Sequence, residues 1–458
     1  MITQSLQDSD PKIAAAIALE LTSQRNSLKL IASENYSSLA VQSAMATSLT
    51  DKYAEGFAGK RFYAGCEHID TVENIAQERC QKLFGAEYAF VQPHCGADAN
   101  LLAFHAVLSA KVQTPFLEKE NKKINDLDTA SFEQLRSLLN NQTLLAMSLD
   151  AGGHLTHGYR MNLSARMFKV HQYGLNSEML IDYDNVRAMA REHKPMILLA
   201  GFSAYTRRIN FALMREIANE VGAVLMGDIA HFAGLVAGGQ FSDDENPVLH
   251  CDIVTSTTHK TLRGPRGGIV LCKKWLEPFV QRACPMMMGG PLPHVMAAKA
   301  IAFGEALTED FADYSARVIT NSRALATGLQ NAGISLVTGG TDNHMVLIDL
   351  RQNSVSGLQV ERALSARAIT TNRNALYQDI RGPWHTSGIR IGSAALTSRG
   401  MGPEQMQIIA AMIGRVINEM EQRKGSDTIE LSSSLNKEIK NTVKELTERF
   451  PLYPEITA

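Results

Sequence analysis

Residues 255–268, TSTTHKTLRGPRGG, set one lysine, Lys260, between a hydroxyl-rich approach and a glycine- and arginine-rich exit, just after the apolar pair Ile253 and Val254. A strand that ends in a polar turn is where open α/β sheets gather ligands, in the crevice at the strands' carboxyl ends. The hydroxyls of Ser256, Thr257 and Thr258, with glycine N–H groups, suit a phosphate. A lysine among them is either a phosphate clamp or a Schiff-base amine. The stretch VLMGDIAHFAGLVAGG at 224–239 separates the two readings. Its first residues continue a buried-strand pattern and Asp228 falls where that strand should end. A buried carboxylate needs a cationic partner, and the protonated ring nitrogen of pyridoxal phosphate is one that becomes an electron sink when so paired. Two neighbouring strands, one ending in Asp228 and the next leading to Lys260, would hold the two ends of that cofactor.

Other residues invite similar questions. In YAFVQPHCGADAN (88–100) a strand runs through a turn into a helix, so the N–H groups around Gly96 form an anion site at a helix N-terminus. Arg390, in the strand-like run SGIRIGS, is costly to bury unless its fork meets an anion such as a carboxylate; an internal salt bridge is the other reading. His154 and His157 in HLTH have metal-ligand spacing, yet no third ligand or carboxylate accompanies them, so no metal is expected. Taken alone, Lys260 reads more often as a solvated loop lysine, and Asp228 and the glycines reverse that; Asp228 also reads as a cap and His231 as a packed histidine. There is no phosphate-binding P-loop and no dinucleotide-binding glycine pattern.

The elements that must position these residues alternate from Thr143 onward: strand TLLAMSL, glycine turn AGGHLTHG, strand MILLAG, helix FALMREIANEVG and strand AVLMGD. That βα rhythm predicts an α/β fold with a mostly parallel sheet. After Pro291 a helical stretch to about Asn331 precedes short strands (SLVTG, HMVLIDL, IRIGS) mixed with amphipathic helices, which predicts a smaller α+β domain. The expected division is an N-terminal helical arm over 1–28, a large domain over 29–310 and a small one over 311–458. Residues 109–142, with the polar run EKENKKIND and the helical pattern TASFEQLRSLLN, read as a surface excursion with one short helix, its insert proper spanning about 113–142. The 458 residues are 45% hydrophobic, and 45 basic against 47 acidic residues give a formal charge of −2. That balance offers no case for nucleic-acid or membrane partners. Six cysteines without a CxxC pair, and a start lacking a basic and apolar leader, point to a cytoplasmic protein with reduced thiols.

LIASENY (30–36), DKYAEGFAGKRFYAG (51–65), GGHLTHG (152–158), GFSAY (201–205), GDIAHFAGL (227–235), STTHKTLRGPRGG (256–268), GGTDNH (339–344) and TSGIRIG (386–392) together resemble serine hydroxymethyltransferase, in that family's order and over nearly the whole chain. The resemblance implies the aspartate-aminotransferase-like fold (fold type I of pyridoxal-phosphate enzymes). It also implies a homodimer with shared active sites, against which the N-terminal arm packs. The implied reaction is reversible transfer of the serine hydroxymethyl carbon to tetrahydrofolate, with aldol cleavage and racemisation as side activities. By resemblance Lys260, Asp228, His231, His154, Ser203, His259, Gly96, Ala97, Tyr53 and Gly290 hold the cofactor. Arg390, Ser33, Tyr63 and Glu55 meet the amino acid, Glu55 as acid/base, and His157 is structural. Glu55, Phe62, Gly153, Leu155, Asn374 and Trp384 meet folate. Departures stand out: Cys95 and Ala97 flank Gly96 where the family favours serine, Phe62 replaces a tyrosine, and Gly382-Pro383-Trp384 replaces a Ser-Pro-Phe sequence. A related enzyme of the same fold, such as a threonine aldolase, alanine racemase or aminotransferase, and a non-catalytic cofactor-bound regulator remain the alternatives. The intact set of Lys260, Asp228 and Arg390 speaks against the regulator.

Overall fold

The computed structural model describes residues 4–423 and 431–456. Two compact units divide the chain, one of residues 37–316, the other combining residues up to 36 with those from 317 onward. The second grouping differs from the separate arm expected over 1–28. Its cause is pairing: Leu28–Lys29 runs parallel to Ile369–Thr370, and Arg25 donates to the carbonyls of Leu452, Tyr453 and Ile456.

The unit of residues 37–316 is built on a seven-stranded sheet. Its strands are β1 (Tyr88–Phe90), β2 (Thr143–Met147), β3 (Lys169–Tyr173), β4 (Ile197–Gly201), β5 (Val224–Asp228), β6 (Ile253–Thr257) and β7 (Gly268–Cys272), in the order β1-β7-β6-β5-β4-β2-β3. Strands β2 to β6 pair in parallel, while β7 lies antiparallel between β1 and β6. Every residue of β4, β5, β6 and β7 is buried, as expected of strands covered on both faces. The edge strand β3 has a mostly polar sequence, KVHQY, and gave no hydrophobic signal.

The helices follow local rules. Phe211–Val221 starts where the Asn210 side chain accepts the N–H of Leu213, buries Phe211, Met214, Ile217 and Ala218 along one face, and stops at Gly222 with φ 72°. This helix separates β4 from β5, so both strands deliver their carboxyl ends to the same edge. Register then aligns Gly201, Asp228 and Thr255 side by side. A Cβ at Gly201 would fall 2.3 Å from the Asp228 carbonyl oxygen, so this close approach requires glycine.

The excursion after Leu108 holds more structure than expected. The helix Gly96–Leu108 passes through a π-turn, Ser109–Gln113, into Thr114–Glu120, which ends at Asn121 with φ 50°. A second helix, Thr129–Asn140, is capped by Asp128. Most of the excursion's residues are exposed, but Val112, Phe116 and Leu135 are buried, with 9%, 7% and 1% of their surface exposed, so the segment is pinned to the unit at three points.

In the other unit β8 (Met345–Asp349), β9 (Asn372–Asn374) and β10 (Gly388–Gly392) form an antiparallel sheet ordered β8-β10-β9. The expected strand SLVTG reduces to one bridge, Leu336 to Ile348. The chain then turns through Val337–Gly339, with Thr338 at φ 60°, which no strand accommodates. Val346, Ile348, Ile389 and Ile391 pack with Leu325, Met406 and Ile413 in the core. Arg399 is the main polar tie: its guanidinium donates to carbonyls of Arg25, Ser27, Thr447 and Phe450, at the C-terminal ends of the helices Pro11–Arg25 and Ser433–Arg449. Cations are favoured there, where helix carbonyls lack intrahelical partners. Among the described residues no helix is long and apolar enough to cross a membrane.

Two stability outcomes follow. Leu135→Ala should cost roughly 2 to 4 kcal/mol in chemical denaturation, as a buried truncation, while Leu138→Ala, on the outer face of the same helix, should stay within about 1 kcal/mol. Arg399→Met strands several buried carbonyls and should cost at least about 2 kcal/mol.

Candidate active site

Asp228 ends β5 with 6% of its surface exposed. Its Oδ2 accepts the Asn100 side-chain N–H at 2.8 Å and lies 3.0 Å from His157 Nε2, while Oδ1 accepts the Ala230 N–H at 3.1 Å. The His154 N–H donates to His157 Nδ1, so the His157 hydrogen sits on Nε2 and is donated to the carboxylate. Asn100 is itself fixed, donating to Thr156 Oγ1 at 2.7 Å and accepting from Thr255 Oγ1 at 2.5 Å. Burial alone would push the Asp228 carboxyl up. The His157 hydrogen bond, the imidazoles of His157 and His154, and the Asn100 hydrogen bond outweigh it and hold the group well below the usual carboxylate range. An ionised, buried carboxylate with one oxygen only lightly engaged suits a cationic ring nitrogen.

The lysine end is tied to the same strand ends. Lys260 Nζ donates to Thr257 Oγ1 at 3.0 Å, Thr257 Oγ1 donates to the Ala230 carbonyl, and Thr261 Oγ1 to that of His231. Gly96 begins its helix against this turn, since a Cβ there would lie 2.7 Å from the Thr257 methyl. His259 Nδ1 is buried without a hydrogen-bond partner among the described residues. Burial, with the charges of Lys260 and Arg266, pushes that imidazole down to about 3. An orphaned nitrogen beside cations and a helix N-terminus fits an anion such as a phosphate.

Ser203 donates to the Gly153 carbonyl at 3.0 Å, which holds the 152–158 turn against the end of β4. His154 Nδ1 meets Thr156 Oγ1 at 2.7 Å, and its ring lies 5.8 Å from that of His157. Leu155 is 45% exposed on the same turn. The segment 53–63 forms a separate aromatic group. Tyr53 and Tyr63 meet edge to face at 4.9 Å, Tyr53 Oη lies 3.5 Å from Glu55, and Gly290 sits against the Tyr53 ring. The Gly290 carbonyl also accepts from His94 Nε2 at 3.2 Å, two residues before Gly96. Arg61 anchors this segment: it pairs with Asp70 and Glu73 and donates to the carbonyls of Ala54 and Gly56.

In the unit with the C-terminal chain, Arg390 is central in β10, its Nε donating to Asn372 Oδ1 at 3.2 Å, and burial pushes its guanidinium down to about 10. The Ser33 segment lies beside it, because Gly392 donates to the Leu30 carbonyl and abuts Ala32. Asn374 ends β9. Trp384, in Gly382–His385, is 75% exposed on a loop held by Asp379, which accepts from Leu376, Arg381 and Ser387.

One expectation needs correction. His154 and His157 were set aside as metal ligands for want of a carboxylate, but folding supplies Asp228, with ligand atoms of all three within 4.8 Å. What argues for hydrogen bonding here is that the His157 Nε2 hydrogen is already given to Asp228. His157 is therefore a partner of the central carboxylate rather than a structural histidine. Asn100, Thr156 and Thr255 were not foreseen. The only sequence signal for Asn100 is its place four residues after Gly96, on the same helical face.

A mostly parallel sheet with a carboxylate and a lysine at adjacent strand ends, and an anion site at the helix beside them, defines the fold-type-I class of pyridoxal-phosphate enzymes. The family model for serine hydroxymethyltransferase matches residues 6–117 and 127–413, passing over only part of the excursion. The chain is 53% identical over 455 residues to a serine hydroxymethyltransferase of Salinispora tropica, covering 98% of this chain and 95% of that one. It is 52% identical to those of Cutibacterium acnes (97% and 92%) and Treponema pallidum (97% and 79%). The chain belongs to the serine hydroxymethyltransferase family, transferases that interconvert serine and glycine with pyridoxal phosphate as cofactor and tetrahydrofolate as co-substrate.

His157→Phe keeps the ring volume but removes one donor from Asp228. The expected result is pyridoxal-phosphate affinity weakened about tenfold in equilibrium dialysis, the worth of a charge-assisted hydrogen bond; unchanged affinity would remove His157 from the site.

Proposed function

We propose that this chain transfers the hydroxymethyl carbon of serine to tetrahydrofolate, leaving glycine and 5,10-methylenetetrahydrofolate, at a site completed by a second copy of the chain. The observation that carries this reading is the ionised Asp228 carboxylate, in register with Thr255 and linked through Ala230 and Thr257 to Lys260.

Lys260 would hold the cofactor through its amine, which Thr257 Oγ1 positions. Asp228 faces the ring nitrogen, His154 and His231 lie against the ring, and Ser203 reaches its oxygen. Gly96, Ala97 and His259 take the phosphate, Gly290 also meets the cofactor, and Tyr53 and Tyr63 reach the site from the second copy. When bound, the cofactor supplies an electron sink for the bond broken at the amino acid's α-carbon. Arg390, with Ser33, holds the carboxylate end of serine, its planar fork matching two oxygens. Glu55 moves the proton at the substrate hydroxyl and Tyr63 stands beside it. Gly153, Leu155, Phe62, Asn374 and Trp384 receive folate.

Support for a homodimer comes from the aromatic segment. Tyr53, Phe62 and Tyr63 are 55%, 67% and 49% exposed, yet the segment that carries them is held rigid by the buried Arg61 and Glu73 pair. A rigid, exposed aromatic surface suits a protein interface. The N-terminal helix packs on that second copy in this reading. A cytoplasmic location belongs to the same reading, with the family's reaction and the free cysteines in its support.

Phe62 keeps an aromatic face for folate without a hydroxyl donor. Folate-independent chemistry, racemisation and β-hydroxy amino acid cleavage, then forms a larger share of the activity.

Serine should give glycine in a tetrahydrofolate-dependent assay, and Lys260→Ala should end borohydride trapping of the cofactor on the protein; trapping at another lysine would refute the assignment. Phe62→Tyr should lower the Michaelis constant for tetrahydrofolate by up to about tenfold, the reach of one hydrogen bond. An unchanged or higher constant would leave Phe62 a neutral replacement.

A further inference from the structure

Lys299 lies in the helix Pro293–Ala306 with none of its surface exposed. A buried lysine ordinarily meets a carboxylate. Here Nζ donates to three backbone carbonyls instead, Val91 at 2.6 Å, Pro93 at 2.9 Å and Gly268 at 2.9 Å. Three acceptors call for three N–H groups, which only the ammonium form has.

The three carbonyls belong to segments that already frame the site. Val91 and Pro93 lie between β1 and the helix that starts at Gly96, and Gly268 begins β7. Gly268 donates to the Pro93 carbonyl at 2.9 Å, and a Cβ on it would fall 2.3 Å from the Cys95 carbonyl oxygen. Gly267 leaves room for the lysine itself, since its Cβ would lie 2.4 Å from Lys299 Cε, and it accepts the N–H of Thr258 from the turn that carries Lys260. One ammonium thus sits where the phosphate loop and the lysine turn meet. A trans peptide points its C=O and N–H in opposite directions, so drawing the Pro93 carbonyl inward turns the His94 N–H away from Lys299.

We propose that Lys299 is a positioning residue for the cofactor phosphate, fixing the direction of the peptides that lead to Gly96 and offsetting the phosphate charge from behind the loop. The inference rests on the reading that the phosphate lies at Gly96. It gains weight in this chain because Cys95 and Ala97 offer no hydroxyl beside that glycine.

The charge is adjustable. Burial pushes the Lys299 ammonium down to about 7, against the opposing influence of Cys80, Glu73, Asp98 and Cys95. These are the titratable groups facing it from the helices Glu67–Phe84 and Gly96–Leu108; His259 faces it from the turn after β6. An anion bound nearby raises the group again, so binding takes up a proton in the window above about 7, and affinity for the anion falls as pH rises through it. The phosphate, with its second ionisation near about 6, keeps its charge across that window.

The test compares binding of pyridoxal phosphate and of pyridoxal, which lacks only the phosphate, to the full-length chain at about pH 6.5 and about pH 9. In the wild type the preference for the phosphorylated form should fall at least about tenfold between the two, equivalent to one pKa unit of linkage. In Lys299→Met the preference should be low and the same at both. A pH-independent preference in the wild type overturns the proposal, even if the variant fails to fold. So does a Lys299→Met chain that weakens both ligands equally, the mark of a merely structural role. A wild type that takes up no pyridoxal phosphate overturns the site reading itself, and this proposal with it.

Discussion

The molecule depends on keeping one carboxylate, Asp228, ionised inside a sheet. Burial opposes that charge, and the structure answers with hydrogen-bond donors: the Asn100 amide, the His157 imidazole and the Ala230 N–H. Each donor is itself held, Asn100 by Thr255 and Thr156, and His157 by the His154 N–H. The arrangement makes the carboxylate a fixed anion that needs no reorganisation to meet a cationic group.

An arginine beside Asp228 would satisfy it completely and leave nothing for a ring nitrogen. The strand ends instead keep their formal charges apart: Asp228 closes β5, and Lys260 lies on the turn after β6 with its Nζ on Thr257. Arg390 lies on the small antiparallel sheet of the other unit, where burial presses its guanidinium down and raises the gain from meeting a carboxylate.

The same logic of rigid support recurs away from the centre. Arg61 is buried against Glu73 and Asp70 so that Tyr53, Phe62 and Tyr63 can be exposed without being loose. Arg399 gathers carbonyls from two helix ends and so keeps the N-terminal residues with the C-terminal chain. The excursion after Leu108 is anchored by Val112, Phe116 and Leu135.

Much was legible in order and type. The alternation of strand and helix from Thr143, the placing of Asp228 and Lys260 at successive strand ends, and the motif set of the family are properties of the chain read linearly, since periodicity and turn chemistry are local. Three things were not. The partners of Asp228 come from 128 and 71 residues away in sequence, so no spacing rule links Asn100 or His157 to it; only the packing of the helix Gly96–Leu108 and the 152–158 turn against β5 brings them there. The edge strand β3 owes its existence to pairing with β2 rather than to its own polar sequence. The grouping of residues up to 36 with the C-terminal chain rests on a two-residue strand pair and on carbonyls that attract Arg25 and Arg399. Long-range pairing and buried charge are settled by which surfaces meet, and a sequence states the surfaces without stating the meeting.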